Sequence, residues 1–106
     1  MLSMGNVMVI TLKVKNNTNT LIKKINFLYD SQVGKTTLKN IKSKHDKQTG
    51  IPTIKSINNL RMIIEDGDKT YLIKEHIPRG DRNKLIITID DLNDGVLTYK
   101  VEISDY

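Results

Sequence analysis

The chain contains no cysteine. Disulfides, thiol nucleophiles and thiolate metal sites are therefore excluded, and the composition fits a reducing compartment. Alanine is also absent, although it is the strongest helix former. No apolar run approaches the length of a membrane-spanning helix. The opening MLSMGNVMVITL lacks a basic segment followed by a sustained apolar one, so no signal peptide is expected. Met1, Met4 and Met8 can each serve as a start, and residues 1–6 read as an extension ahead of a single domain spanning 1–106. The expectation is a cytoplasmic protein with no membrane span. Arginine is scarce, at 3 against 14 Lys, which together with abundant Ile and Asn suggests an AT-rich bacterial or phage genome.

What is present favours strands. The chain holds 15 Ile, 10 Leu, 6 Val and 10 Thr. The β-branched residues among these lose rotamer freedom in a helix and suit a pleated, half-buried surface. Turn signals recur at NNTNT (residues 16–20) and at Gly34, Gly50, Gly67, Gly80 and Gly95, each glycine in polar company. Between them the pattern alternates. Met8, Ile10, Leu12 and Val14 share one face, as do Leu21, Ile25, Phe27 and Tyr29. So do Leu60, Met62 and Ile64; Tyr71, Ile73 and Ile77; Leu85, Ile87 and Ile89; and Leu97, Tyr99, Val101 and Ile103. Such alternation is what antiparallel sheets covering one core produce.

Residues 35–59 are ambiguous. Lys35–Ser43 reads as a strand through Leu38 and Ile41 or as a short helical turn. Ile51–Asn59, with Ile54 and Ile57 three apart, reads the same two ways. Taking both as strands gives about seven, and predicts an all-β, immunoglobulin-like antiparallel β-sandwich with a small β-barrel as the alternative.

Several motifs suggest chemistry and then fail on spacing. VGKTT (Val33–Thr37) ends like a phosphate-binding loop, but Tyr29 stands where that loop needs its first glycine. PRGDR (Pro78–Arg82) contains an adhesion tripeptide, here read as a polar turn. DDLNDG (Asp90–Gly95) begins like a calcium loop, yet has Leu92 at the third position and Val101 at the twelfth. Asp66 and Asp68 flank Gly67 in a turn, with no second acid fixed opposite. His45 and His76 lack metal-ligand spacing and any triad motif. No catalytic residue, metal site or cofactor is expected.

From Leu12 to Gly34, LKVKNNTNTLIKKINFLYDSQVG resembles the opening of FxLYD-type domains, small bacterial β-sandwich modules often found on surface proteins and lipoproteins. Phe27, Leu28, Tyr29 and Asp30 give F-L-Y-D, one residue short of the family spacing. The resemblance implies a β-sandwich and no activity.

The remaining signal is charge. Residues 1–57 carry ten Lys against Asp30 and Asp46, a net of +8, whereas residues 58–106 carry seven basic and ten acidic groups, a net of −3. This asymmetry can support self-association unless the two halves interleave. Lys35, Lys39, Lys42, Lys44 and Lys47 concentrate the positive charge around His45, with only Asp46 opposing. They form the candidate surface for an anionic partner. The stretch has no Arg for bidentate contacts and no ring for base stacking. A non-catalytic protein-interaction or structural accessory module is therefore the first expectation, and a basic nucleic-acid-binding β-module the second.

Overall fold

The computed structural model describes residues 9–30, 34–65, 67, 69–93 and 96–104. Eight strands run in chain order: β1 (Val9–Asn16), β2 (Ile22–Asp30), β3 (Gly34–Ile41), β4 (Asp46–Pro52), β5 (Ile57–Ile64), β6 (Tyr71–Ile77), β7 (Lys84–Asn93) and β8 (Val96–Ser104). They form two four-stranded sheets, ordered β4-β1-β7-β8 and β3-β2-β5-β6. The sheets remain separate, so the fold is a small β-sandwich and not a closed barrel. There is no helix among the described residues. The turns at Asp66–Asp68 and Asp94–Gly95, the start of VGKTT at Val33 and the residues ahead of Val9 lie outside the described residues.

The core between the sheets follows the composition. Nineteen apolar residues are buried in one cluster, and eleven are Ile, so the β-branched excess supplies the interior. Ile10, Leu12 and Val14 of β1 face Ile25, Phe27 and Tyr29 of β2, as strict alternation predicts. Where the alternation slips, the backbone does too. Leu38 and Ile41 are both buried although three apart, and Asn40 between them has φ 57°. Ile57 and Leu60 repeat this with Asn59 at φ 53°, where the β2–β5 register shifts. Asn tolerates the left-handed region, and one such residue in a strand acts as a bulge that restores the next side chain to the core. The Leu38–Ile41 stretch is therefore a bulged strand and not a helical turn, whereas the Ile54–Ile57 spacing spans the β4–β5 turn, with Ile54 exposed and Ile57 opening β5.

Four expectations need correction. There is one strand more than the turn count gave: KQTG is no turn, and the chain turns instead at residues 42–45 and 53–56. Gly50 sits inside β4, opposite Thr11 of β1. The sandwich is not wholly antiparallel, since β1 and β7 pair in parallel from Thr11↔Lys84 to Asn16↔Ile89. Leu21 is 44% exposed and Ile22 takes its place in the core, opposite Ile41. Ile51–Asn59 is not one strand: it ends β4, turns with Ile54 60% exposed, and begins β5.

Gly50 is required for space. A Cβ built there lies 2.5 Å from Val9 Cγ1, and a β-branched side chain cannot swing away freely. Gly50→Ala is expected to lower stability by roughly 1–3 kcal/mol through overpacking. Adding Val9→Ala should recover much of that loss, because it removes the methyl group in the way. Urea unfolding of the two single variants and the double variant measures the coupling. Additive losses would show that the contact is not the cause.

The topology also separates the two halves of the chain. β1–β4 occupy one side of both sheets and β5–β8 the other, so the lysine-rich strands of the first half stay together on one side.

Candidate functional site

The basic stretch lies at the corner where the chain crosses from β3 in one sheet to β4 in the other. Lys42–His45 forms the connection, closed by a hydrogen bond from the His45 N–H to Lys42 O (3.0 Å), with Lys44 at φ 63°. Backbone bonds fasten this turn to the end of β1. Asn16 N–H donates to His45 O (2.9 Å), and Lys44 N–H donates to Asn16 O (2.8 Å). Ser43 Oγ donates to Thr18 O (2.6 Å).

Beneath the corner lies a buried polar network that the sequence disguised as a simple turn. Asn16 is 1% exposed, yet its amide is fully used. Its Nδ2 donates to Thr20 O (2.8 Å) and Ile41 O (2.9 Å). Its Oδ1 accepts from Thr18 N–H (3.0 Å) and Thr18 Oγ1 (2.6 Å). NNTNT is thus the anchor joining the β1–β2 loop to the end of β3. Asn17 extends it to β7, with its N–H donating to Ile89 O (2.8 Å) and Nδ2 to Asp90 Oδ1 (3.0 Å).

On this frame Asn40, Lys42, Lys44, His45, Asp46 and Lys47 line an open groove of about 540 Å³. Lys44 Nζ donates to Asn17 O (2.8 Å) and Lys47 Nζ to Lys39 O (2.6 Å). Both ammonium groups are positioned by neutral carbonyls, which leave their charge uncompensated. Asp46 is engaged by Lys13 at 3.7 Å. Among the described residues, none of the five lysines forms an ion pair with a carboxylate. Lys39 stands beside the groove through its carbonyl, while Lys35 projects from the opposite end of β3 and does not line it. Folding therefore gathers three of the five lysines, Lys42, Lys44 and Lys47, around the groove. Asn40 and His45 also line the groove; His45 was noted in the stretch, but nothing in the local sequence marked Asn40.

The other motifs are accounted for by local structure. Gly34, Lys35 and Thr36 are in β3, paired with Tyr29, Leu28 and Phe27. In PRGD, Asp81 N–H donates to Pro78 O (3.1 Å), and Gly80 at φ 80° donates its N–H to Thr53 O (2.8 Å). Arg79 Nε donates to Ile54 O (3.0 Å), and Asp81 Oδ1 accepts from Asn83 N–H (2.8 Å), so both charged groups are held by their surroundings. His76 lies exposed on the outer face against Asn58, with 2.9 Å between Nδ1 and Oδ1.

Asp30 forms a second, smaller cluster on the outer face of the β2–β5 sheet. Asn59 Nδ2 donates to Oδ2 (3.0 Å) and Arg61 Nη1 to Oδ1 (3.3 Å). The bond from Asn59 is the largest cause holding the carboxyl below its ordinary value of 3.8; desolvation opposes it, and the hydrogen bond and charge of Arg61 lower the value further. A depressed folded value means the stabilisation is present above the unfolded value and lost as pH falls through the folded one. The difference in urea midpoint between the wild type and Asp30→Asn should therefore be small at neutral pH and shrink further on acidification. A difference that widens on acidification would contradict this assignment.

No protein-family model and no curated protein sequence matches the chain. Among solved structures, the chain is similar to a protein from Eubacterium rectale determined by NMR. The match covers 100% of this chain and 97% of that one, with a TM-score of 0.57 and 16% identity. At that identity the likeness carries the fold alone: a small all-β sandwich. No helix among the described residues is long and apolar enough to cross a membrane.

Proposed function

We propose that the chain is a non-catalytic, immunoglobulin-like interaction module of a bacterium or phage, cytoplasmic, which binds an acidic protein surface at the β3–β4 corner. The observation that carries this reading is the arrangement of Lys42, Lys44 and Lys47 around one groove, on a turn tied by hydrogen bonds to β1. Ammonium groups held by carbonyls on a fixed backbone lose little further entropy when a carboxylate arrives. The nucleic-acid alternative is supported less. The groove has no Arg, and the described aromatic rings lie elsewhere: Phe27 and Tyr29 in the core, Tyr71 and Tyr99 against each other on the opposite side.

Titration with a polyglutamate probe and a single-stranded oligonucleotide, each at low and raised salt, tests the reading. The expected result is salt-dependent polyglutamate binding, weakened about tenfold or more by Lys42→Glu with Lys47→Glu, on the scale of two lost charge contacts. Arg82→Glu with Lys74→Glu makes the same change in net charge elsewhere and should leave binding nearly intact. No binding at low salt, or equal loss in both variants, would refute a defined site. Tighter binding of the oligonucleotide would favour the alternative.

A further inference from the structure

β8 is the outermost strand of its sheet, nine residues long, with neither Pro nor Gly. Edge strands usually carry a device that blocks further pairing. The other three do so here. β3 is distorted at Asn40, β4 ends in Pro52 and rims β3, and β6 pairs with a shifted register. The β7–β8 register also shifts once, between Ile89 and Asp91, but the extra residue Asp90 belongs to the inner strand β7, and β8 runs unbroken from Tyr99 to Ser104. Its inward side chains, Leu97, Tyr99, Val101 and Ile103, are incompletely covered, and Ile103 is 53% exposed.

We propose that β8 pairs antiparallel with β8 of a second copy about a two-fold axis at Val101, joining two four-stranded sheets into one of eight strands. Charge selects this register. Odd-numbered residues face the core and even-numbered ones face outward, so a shift by one residue would mismatch the faces. An axis at Lys100 sets Lys against Lys, and an axis at Glu102 sets Glu against Glu. An axis at Tyr99 leaves Lys100 opposite Thr98. Only the axis at Val101 places Lys100 opposite the partner's Glu102 and Glu102 opposite the partner's Lys100; within one copy the two form an exposed ion pair at 3.8 Å (63% and 60% exposed), so this register sets two such pairs side by side as a cluster of alternating charge. The same register sets Tyr99 against the partner's Ile103 on the inner face, covering the apolar surface that one copy leaves open. Asp91 lies opposite Thr98, and Lys84 opposite Ser104. The outer row through Thr98 therefore ends on Asp91 in one copy and on Lys84 in the other, again with opposite signs. An isologous contact of this kind closes as a dimer, which distinguishes it from the open-ended association that the polarity of the halves would otherwise favour.

Sedimentation velocity over a concentration series tests the proposal with the wild type, Lys100→Glu, Glu102→Lys and the double swap. The wild type should dimerise. Each single reversal creates two like-charge contacts and should raise the dimer dissociation constant about tenfold or more. The swap restores both opposite-charge pairs and should recover wild-type association. Exposed substitutions of this kind leave folding nearly unchanged, which thermal unfolding of each variant verifies. A monomeric wild type overturns the proposal and leaves β8 open for a strand from a different protein. A dimer indifferent to the single reversals, or one the swap does not rescue, also overturns it.

Discussion

Phe27→Ala is expected to be the most damaging single truncation in the chain, lowering stability by about 3–5 kcal/mol. Phe27 is the only phenylalanine and is fully buried. It sits at the centre of β2, paired with Thr36 on one side and Met62 on the other, where the strand is held in the sheet along both edges. The sheet cannot close around the space left by a ring, so the cost of the cavity adds to the lost transfer energy. A domain of this size has a total stability of roughly 5–15 kcal/mol, so the variant should be partly unfolded at modest urea. Leu72→Ala provides the contrast. Leu72 is 46% exposed on β6, and its truncation should stay within about 0.5 kcal/mol. Urea midpoints at fixed pH decide the matter. A loss near 1 kcal/mol for Phe27→Ala would mean that the two sheets do not pack around it.

Asn16→Ala should come second, at about 3 kcal/mol, although it removes few apolar contacts. The amide satisfies the carbonyls of Thr20 and Ile41 and two donors of Thr18. Alanine would leave Ile41 O and the Thr18 N–H without this partner, whereas Thr20 O keeps its bond from Thr18 Oγ1 (3.0 Å), and each buried unpaired group costs about 1–3 kcal/mol unless water reaches it. The melting temperature should fall by on the order of 10–20 °C, given roughly 4–8 °C per kcal/mol in domains near this size. Thr18→Val disables the same network from the other side, so the double variant should lose less than the sum of the two singles. Hydrogen exchange gives an independent readout. The amides of Thr18 and Lys44 should exchange faster in Asn16→Ala, while that of Ile87 in the central β7 should follow global unfolding. Unchanged protection at Lys44 would separate the network from the basic corner.

How far the sequence could be read depended on the range of the interaction responsible. β1 and β7, with Ile10, Leu12, Val14 and Leu85, Ile87, Ile89, were legible because alternation is local, β1 keeping one parity throughout and β7 keeping one as far as Ile89. The region 35–59 resisted because left-handed Asn40 and Asn59 change that parity, giving buried pairs at helical spacing inside strands. Gly50 misled for a related reason. A glycine in polar company looks the same whether it serves a turn or clears space for Val9 on the neighbouring strand. At the candidate site the lysines were visible as a run, but their gathering was not. Lys35 and Lys39 are spread along β3, whereas Lys42, Lys44 and Lys47 meet at one groove because the chain crosses between sheets at residues 42–45.

By itself, the sequence determined the strand chemistry. A chain rich in Ile, Val and Thr, without alanine, and with its apolar residues two apart can bury them only as pleated faces. It also determined the sign of each half's charge. The tertiary structure alone decided that β1 would pair in parallel with β7, that Asn16 would be a buried keystone instead of a turn residue, and that β8 would be left at an edge with Lys100 and Glu102 set about Val101. The physical reason is shared by all three. Partner choice between strands depends on contacts among residues tens of positions apart, and a local pattern records which face a residue takes but not which strand lies beside it.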